Sequence, residues 1–178
     1  SKIKTDLTKG IVQGNALWFL ASPGLTCMGS LRELRVLGQP AYNDSKGCGT
    51  IMRVAPLAFG LPRDDIREAA ISTSALTHGH VLGQFAAAVW AELIADVASG
   101  KQLEESARTL SELYNTFSME GAEISRCMNA ALDAPRDAQP KTVESLGKGW
   151  IAEEALSIAL YACLATQNLD DRLQCAII

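Results

Sequence analysis

The 178 residues carry 16 Lys and Arg against 20 Asp and Glu, a net charge of -4, and 48% of them are hydrophobic; a chain of this size buries roughly 70% of its unfolded surface, so one domain over residues 1–178 is expected. The charges are scattered and no basic block tracks a phosphate backbone, which argues against groove binding of nucleic acid. No apolar run approaches the roughly 20 residues of a bilayer span, Ser1-Lys2-Ile3-Lys4 opens no signal-peptide core, and five cysteines without a CxxC pair read as reduced thiols, so the expected place is the cytoplasm, away from membranes.

From Leu7 to Leu20 the apolar residues Leu7, Ile11, Val12, Leu17 and Leu20 fall on one helical face, and Ser22-Pro23-Gly24 stops them. Thr26 is placed to cap a second helix with a stripe of Leu31, Leu34 and Leu37, ended by Gly38 and Pro40. Gln39 to Gly49 is too polar to pack and too rich in glycine to stay helical. A third helix starts near Thr50, with Pro56 in its first turns or kinking it, and Pro62 closes it. Asp64-Asp65 caps a helix from Ile66 to Thr77. An alanine-rich helix follows from Val81 to Val97, its Ala86, Ala87, Ala88, Ala91 and Ala95 permitting close helix approach, which suits a central position. Leu103–Phe117 and Ala122–Leu132 are amphipathic, and Pro135 to Pro140 reads as a polar connection. After Gly147-Lys148-Gly149 and Trp150 comes Ile151 to Ala165, apolar on nearly every side, and Asp170-Asp171 opens one more helical turn before an uncapped apolar end at Ile177-Ile178. No segment alternates with period two and no repeat is found, so the fold class is all-α, a compact multi-helix bundle.

Three places hold residues with chemistry. The loop Asn43-Asp44-Ser45-Lys46-Gly47-Cys48-Gly49-Thr50 has the ingredients of an anion cradle, namely unblocked amides, a helix start, a lysine and two hydroxyls, with Gly47 suited to positive φ and to close backbone approach. The pattern is neither GxxxxGK[ST] nor GxGxxG after a strand, which excludes the common nucleotide folds, and an ordinary solvated connection between helices has the same composition. Thr77-His78-Gly79-His80 holds the two histidines of the chain, able to bond a phosphate or ribose; capping or packing is the plainer role, and spacing of two with no neighbouring Cys, Asp or Glu argues against a metal pair. Trp150 either stacks on a base or sugar or packs in the core, and Glu153-Glu154 either places one acceptor inward or serves the helix dipole and water.

Taken in order, Asn43 through Pro56, Leu76-Thr77-His78-Gly79-His80 and Gly149-Trp150-Ile151-Ala152-Glu153-Glu154-Ala155-Leu156 resemble the middle of the ADP-ribosylglycohydrolase family, with Pro23-Gly24-Leu25-Thr26-Cys27 similar to its Gly-x-Thr segment. The resemblance covers nearly the whole chain. It implies an all-α fold and hydrolysis of the N- or O-glycosidic bond that links ADP-ribose to a modified side chain, with two Mg2+ or Mn2+ ions activating water. It implies that Ser45, Lys46, Gly47, Cys48 and Gly49 meet the diphosphate and ribose, that Asn43, Thr50 and Arg53 belong to the same binding segment, and that His78 and Trp150 lie at the pocket.

The family's metal ligands come from a Thr-Asp-Asp-Thr motif and a Gly-Asp-x-Asp-Ser/Thr motif, and neither occurs in these 178 residues. Ser1 begins after the position expected for the first and Ile178 stops before that expected for the second, so the chain is expected to be a core truncated at both ends. Asp64-Asp65 and Asp170-Asp171 are no substitute for an octahedral two-cation site. The expectation is therefore a metal-free, weak or inactive relative that meets ADP-ribose or an ADP-ribosylated protein. The alternatives are a non-catalytic ADP-ribose-binding module, or a structural remnant that pairs with itself as a homodimer to cover Ile177-Ile178.

Overall fold

A computed structural model of the chain describes residues 24–177; the helix expected over Leu7–Leu20 and Pro23 of the Gly-x-Thr-like segment lie outside the described residues. Among those described the fold is all-α, with no strand and one isolated antiparallel bridge between Gly47 and Ile151. The helices run α1 Leu25–Glu33, α2 Ala55–Gly60, α3 Ile66–Ala75, α4 Val81–Ala98, α5 Leu103–Asn115, α6 Met119–Asp133, α7 Pro140–Ser145, α8 Ala152–Ala165 and α9 Leu169–Ile177, with 3-10 turns at Cys48–Arg53 and Arg63–Asp65.

The alanine-rich helix is central, as its composition implies. α4 packs against α2, α3, α5, α6, α8 and the 3-10 turn Cys48–Arg53, and Ala86, Ala87, Ala88, Val89 and Ala91 are fully buried along it. A missing side chain beyond Cβ lets neighbouring backbones approach, and six partners need that space. By length and composition α4 is apolar enough to cross a bilayer, a match that a search for runs of about 20 residues misses. More than half of it is buried against other helices, and it carries two buried carboxylates, Glu92 and Asp96.

Those carboxylates bind the neighbouring helices together. Glu92 Oε1 accepts from Arg63 Nη1 and Arg67 Nη2, each at 2.8 Å, and Oε2 accepts from the Tyr114 hydroxyl of α5 at 2.8 Å. Asp96 accepts from Arg63 Nε at 2.8 Å and Lys101 Nζ at 3.0 Å. The Arg67 guanidinium also lies over the rings of Tyr114 and Phe117. A buried carboxylate is tolerable only when its lone pairs are met by cations and donors in this way.

Several local expectations need correction. The stripe Leu31, Leu34, Leu37 does not extend a helix, because α1 ends at Glu33 and Leu37 is exposed; Gly24, not Thr26, occupies the N-cap. Asp65 precedes α3 without a side-chain capping bond and is itself the last residue of the 3-10 turn Arg63–Asp65. The stretch expected as one helix from Thr50 breaks at Val54 into a 3-10 turn and α2, with Pro56 in the first turn of α2, where a missing N–H costs nothing. α7 also occupies part of what composition marks as polar connection and turn, starting on Pro140 at its first turn.

Candidate functional site

The loop Asn43–Thr50 lies between the N-terminal ends of α4 and α8, and glycines decide how close it comes. A Cβ on Gly79 would stand 1.8 Å from the Asn43 carbonyl oxygen, and one on Gly83 would stand 3.3 Å from Lys46 Cα. Only hydrogen fits at the first position, so Gly79 is a condition of the loop resting where it does. On the other side the backbone pairs with residues 150–152: Ala152 N donates to Lys46 O at 2.7 Å and Cys48 N donates to Trp150 O at 3.3 Å.

Asn43 is the hub. Its Nδ2 donates to Ser30 Oγ and to the Thr77 carbonyl, both at 3.0 Å, and its Oδ1 accepts from Ser45 N at 3.0 Å and Gly79 N at 3.1 Å. One side chain thus ties α1, the loop and the histidine segment. Ser45 Oγ lies 3.3 Å from Thr26 Oγ1 and accepts from Gly47 N at 3.3 Å.

His78 is buried directly beneath the loop. A Cβ on Gly47 would be 3.3 Å from its Nε2, and one on Gly49 would be 3.3 Å from its Cε1 and from Cys27 Sγ. Gly47 has φ -60, so the expectation of positive φ is wrong there; what a side chain at this position would press on is the imidazole. Arg53 Nη2 donates to Thr77 Oγ1, which lies 2.8 Å from His78 Nδ1. A Thr77 hydroxyl that donates to Nδ1 would leave the imidazole hydrogen on Nε2, the nitrogen facing Gly47. Burial first, and then the Arg53 charge, hold His78 below the ordinary imidazole range, so the ring favours its neutral form. His80 has the plainer role: it N-caps α4, with Nδ1 accepting from Leu82 N at 3.0 Å.

The remaining expected residues divide into two groups. Thr50 is fully buried with its hydroxyl on the Gly83 carbonyl at 2.9 Å, and Arg53 also donates to the Thr73 carbonyl at 3.0 Å and to Cys27 Sγ; both hold the loop's foundation. Cys48 is a half-buried free thiol, and Trp150, 79% exposed, stands out beside the loop and is not part of the core. Lys46 Nζ donates to Glu153 Oε1 at 2.6 Å. Glu153 is the residue whose role the sequence left open, and it is the inward acceptor of the Glu153-Glu154 pair, whereas Glu154 Oε2 accepts from Lys148 N at 3.0 Å. The amides of Ser45, Gly47 and Cys48 therefore have protein acceptors. The last two bonds, at 3.3 Å, are long for N–H···O.

A pair of divalent cations would need several convergent carboxylate oxygens. Among the described residues no three His, Cys, Asp or Glu side chains are grouped as a metal site. Three of the carboxylates near the loop are engaged otherwise, Glu153 by Lys46, Glu123 by Arg126 at 2.6 Å and Glu154 by the Lys148 amide, and Asp44 on the loop is a single carboxylate. These residues do not fit a two-cation centre. A hollow of about 660 Å³ lies beyond the bend, with walls from Val143, Gly147, Lys148, Gly149 and Ile158, and shares no lining residue with Asn43–Thr50.

Compared with known proteins, the chain matches a family model described as ADP-ribosylglycohydrolase over residues 5–177. No curated protein and no solved structure matches it.

Proposed function

This chain belongs to the ADP-ribosylglycohydrolase family, and we propose that its loop Asn43–Thr50, with His78 beneath and Trp150 beside it, takes the ADP-ribose portion of an ADP-ribosylated side chain. The match over residues 5–177 carries the reading. The geometry that supports it is a glycine-lined loop tied at both sides to helix starts, with amides at Gly47 and Cys48, hydroxyls at Ser45 and Thr26, a lysine, and an exposed indole. In this reading the amides and hydroxyls donate to phosphate and ribose oxygens, His78 offers Nε2–H from below through the space that Gly47 leaves, and Trp150 supplies a stacking face.

The family's bond cleavage relies on cations that orient ribose hydroxyls and activate water. Among the described residues no candidate ligands are grouped to hold such cations, so we propose that these residues by themselves bind ADP-ribose but release it from a modified side chain weakly or not at all. Titration calorimetry with ADP-ribose tests binding, and release of ADP-ribose from modified arginine or serine peptides in added magnesium tests turnover. Micromolar binding without release is the expected result. Release at an ordinary enzymatic rate would refute the weak-turnover part, and no heat with ADP-ribose would refute the site. Self-association is a second reading favoured by one observation, the exposed Leu169, Leu173 and Ile177 of α9; a monomer in sedimentation at high concentration would end it.

A further inference from the structure

The ion pair between the loop and α8 has an asymmetry. Glu153 is 2% exposed, its Oε1 accepts from Lys46 Nζ at 2.6 Å, and its Oε2 is buried without a hydrogen-bond partner. Lys46 by contrast keeps about a third of its side chain in solvent. If a bound anion drew Lys46 away, it would leave a buried carboxylate with no partner on either oxygen, among the largest electrostatic penalties a protein meets. A cation nearby, Arg126, acts on Glu153 but gives its hydrogen bonds to Glu123 and Cys127, so it puts no donor on either Glu153 oxygen. Glu123 acts on Lys46 and is itself paired with Arg126, and Glu154 adds a further negative charge. Lys46 is therefore held, and its positive charge is cancelled by a neighbour that the fold cannot release.

We propose that Glu153 is the specificity-setting residue of this site: by anchoring and neutralising Lys46 it stops the loop from acting as a general anion trap, so that an incoming diphosphate must be recognised by amides, hydroxyls and the parts of the ligand beyond the phosphates. This rests on the placement of ADP-ribose at the loop. Position and charge are joined in the same contact, since the Lys46 carbonyl is also bound by Ala152 N at the start of the helix that carries Glu153. The raised pKa of Lys46, caused first by its hydrogen bond to Glu153, agrees with a lysine that stays charged within the pair.

Glu153→Gln keeps an oxygen acceptor for Lys46 and removes the negative charge. Calorimetric titrations of wild type and variant with ADP-ribose and with inorganic pyrophosphate, each at two salt concentrations, separate the possibilities. The expected result is pyrophosphate affinity raised roughly threefold to tenfold, the range of a partly exposed charge set free. A steeper loss of affinity with salt and a smaller preference for ADP-ribose over pyrophosphate accompany it. Unchanged or weaker pyrophosphate binding with the same salt dependence would overturn the proposal. A cycle of melting temperatures without ligand decides the pair independently. Lys46→Met should lower Tm by several degrees, and adding Glu153→Gln should restore most of it; additive losses would overturn the anchoring. If wild type binds neither probe, the placement of ADP-ribose has failed, and this cycle still tests whether Glu153 holds Lys46.

Discussion

In and just after the loop, three residues chosen from sequence for ligand contact, Asn43, Thr50 and Arg53, have structural partners, and the Asn43 side chain makes four hydrogen bonds. Replacing Asn43 by Ala removes donors to Ser30 and Thr77 and acceptors for Ser45 and Gly79. At about 1 kcal/mol per net bond, less for those near solvent, unfolding stability should fall by about 2–3 kcal/mol in a urea titration. A loss below 0.5 kcal/mol, roughly the scatter of neutral surface changes, would show that water replaces these contacts. Gly47→Val should abolish ADP-ribose binding, because a Cβ there meets His78 Nε2 at 3.3 Å and Ser45 Oγ at 3.5 Å, and branching adds atoms to that contact. Gly60, where a Cβ meets nothing within 4 Å, gives the control: Gly60→Ala should bind as wild type. The preference for glycine at 47 was legible in the sequence but its cause was not. Close packing against a histidine 31 positions away leaves no local mark, whereas a positive φ is the default expectation for glycine in a turn.

Among the elements, α4 and its partners show what periodicity conveys and what it omits. The extents of α4, α5, α6 and α8 follow the apolar spacing closely, since long amphipathic or alanine-rich runs have one stable outcome. α1 and the break at Val54 did not follow. Leu34 and Leu37 continue the spacing of a helix, but the chain turns at Glu33 to bring Asn43 to Ser30 and Thr77, a tertiary demand that overrides local preference. The join of α3, α4 and α5 through Glu92 was likewise invisible, because Arg63, Arg67 and Tyr114 lie 22 to 29 positions from Glu92 in sequence. Removing that carboxylate should be among the most damaging single changes. Glu92→Ala leaves the buried Tyr114 hydroxyl and two guanidinium groups without their shared acceptor and should cost about 3–5 kcal/mol, against about 1 kcal/mol for Tyr114→Phe, which removes one donor only. Equal effects of the two variants in chemical denaturation would mean that the arginines are satisfied by solvent.

At the scale of the whole molecule, one cluster of buried apolar side chains runs from Ile51 to Cys175, and the ionisable groups set into it make folding depend on pH in a definite direction. His78 has a folded-state pKa below the ordinary value of 6.5, so between these two values the unfolded chain binds more protons than the folded one. Stability must then rise with pH across that window and fall as acid is added below 6.5, levelling off once the folded-state value is passed. Asp96 acts at lower pH: burial opposes its ionisation, but the bonds from Arg63 and Lys101 outweigh burial and keep its pKa below the usual carboxylate range. Its contribution is present above the unfolded value and is lost as pH falls through the folded one. Two steps are therefore expected in the urea midpoint between about pH 7 and pH 3, separated because a buried imidazole and a paired carboxylate titrate in different ranges. His78→Gln should flatten the upper step, and Asp96→Asn should lower stability at neutral pH while flattening the lower one. If the midpoint of the wild type falls between pH 7 and pH 5 no faster than that of His78→Gln, the imidazole is not kept neutral by its burial beneath Gly47 and Gly49.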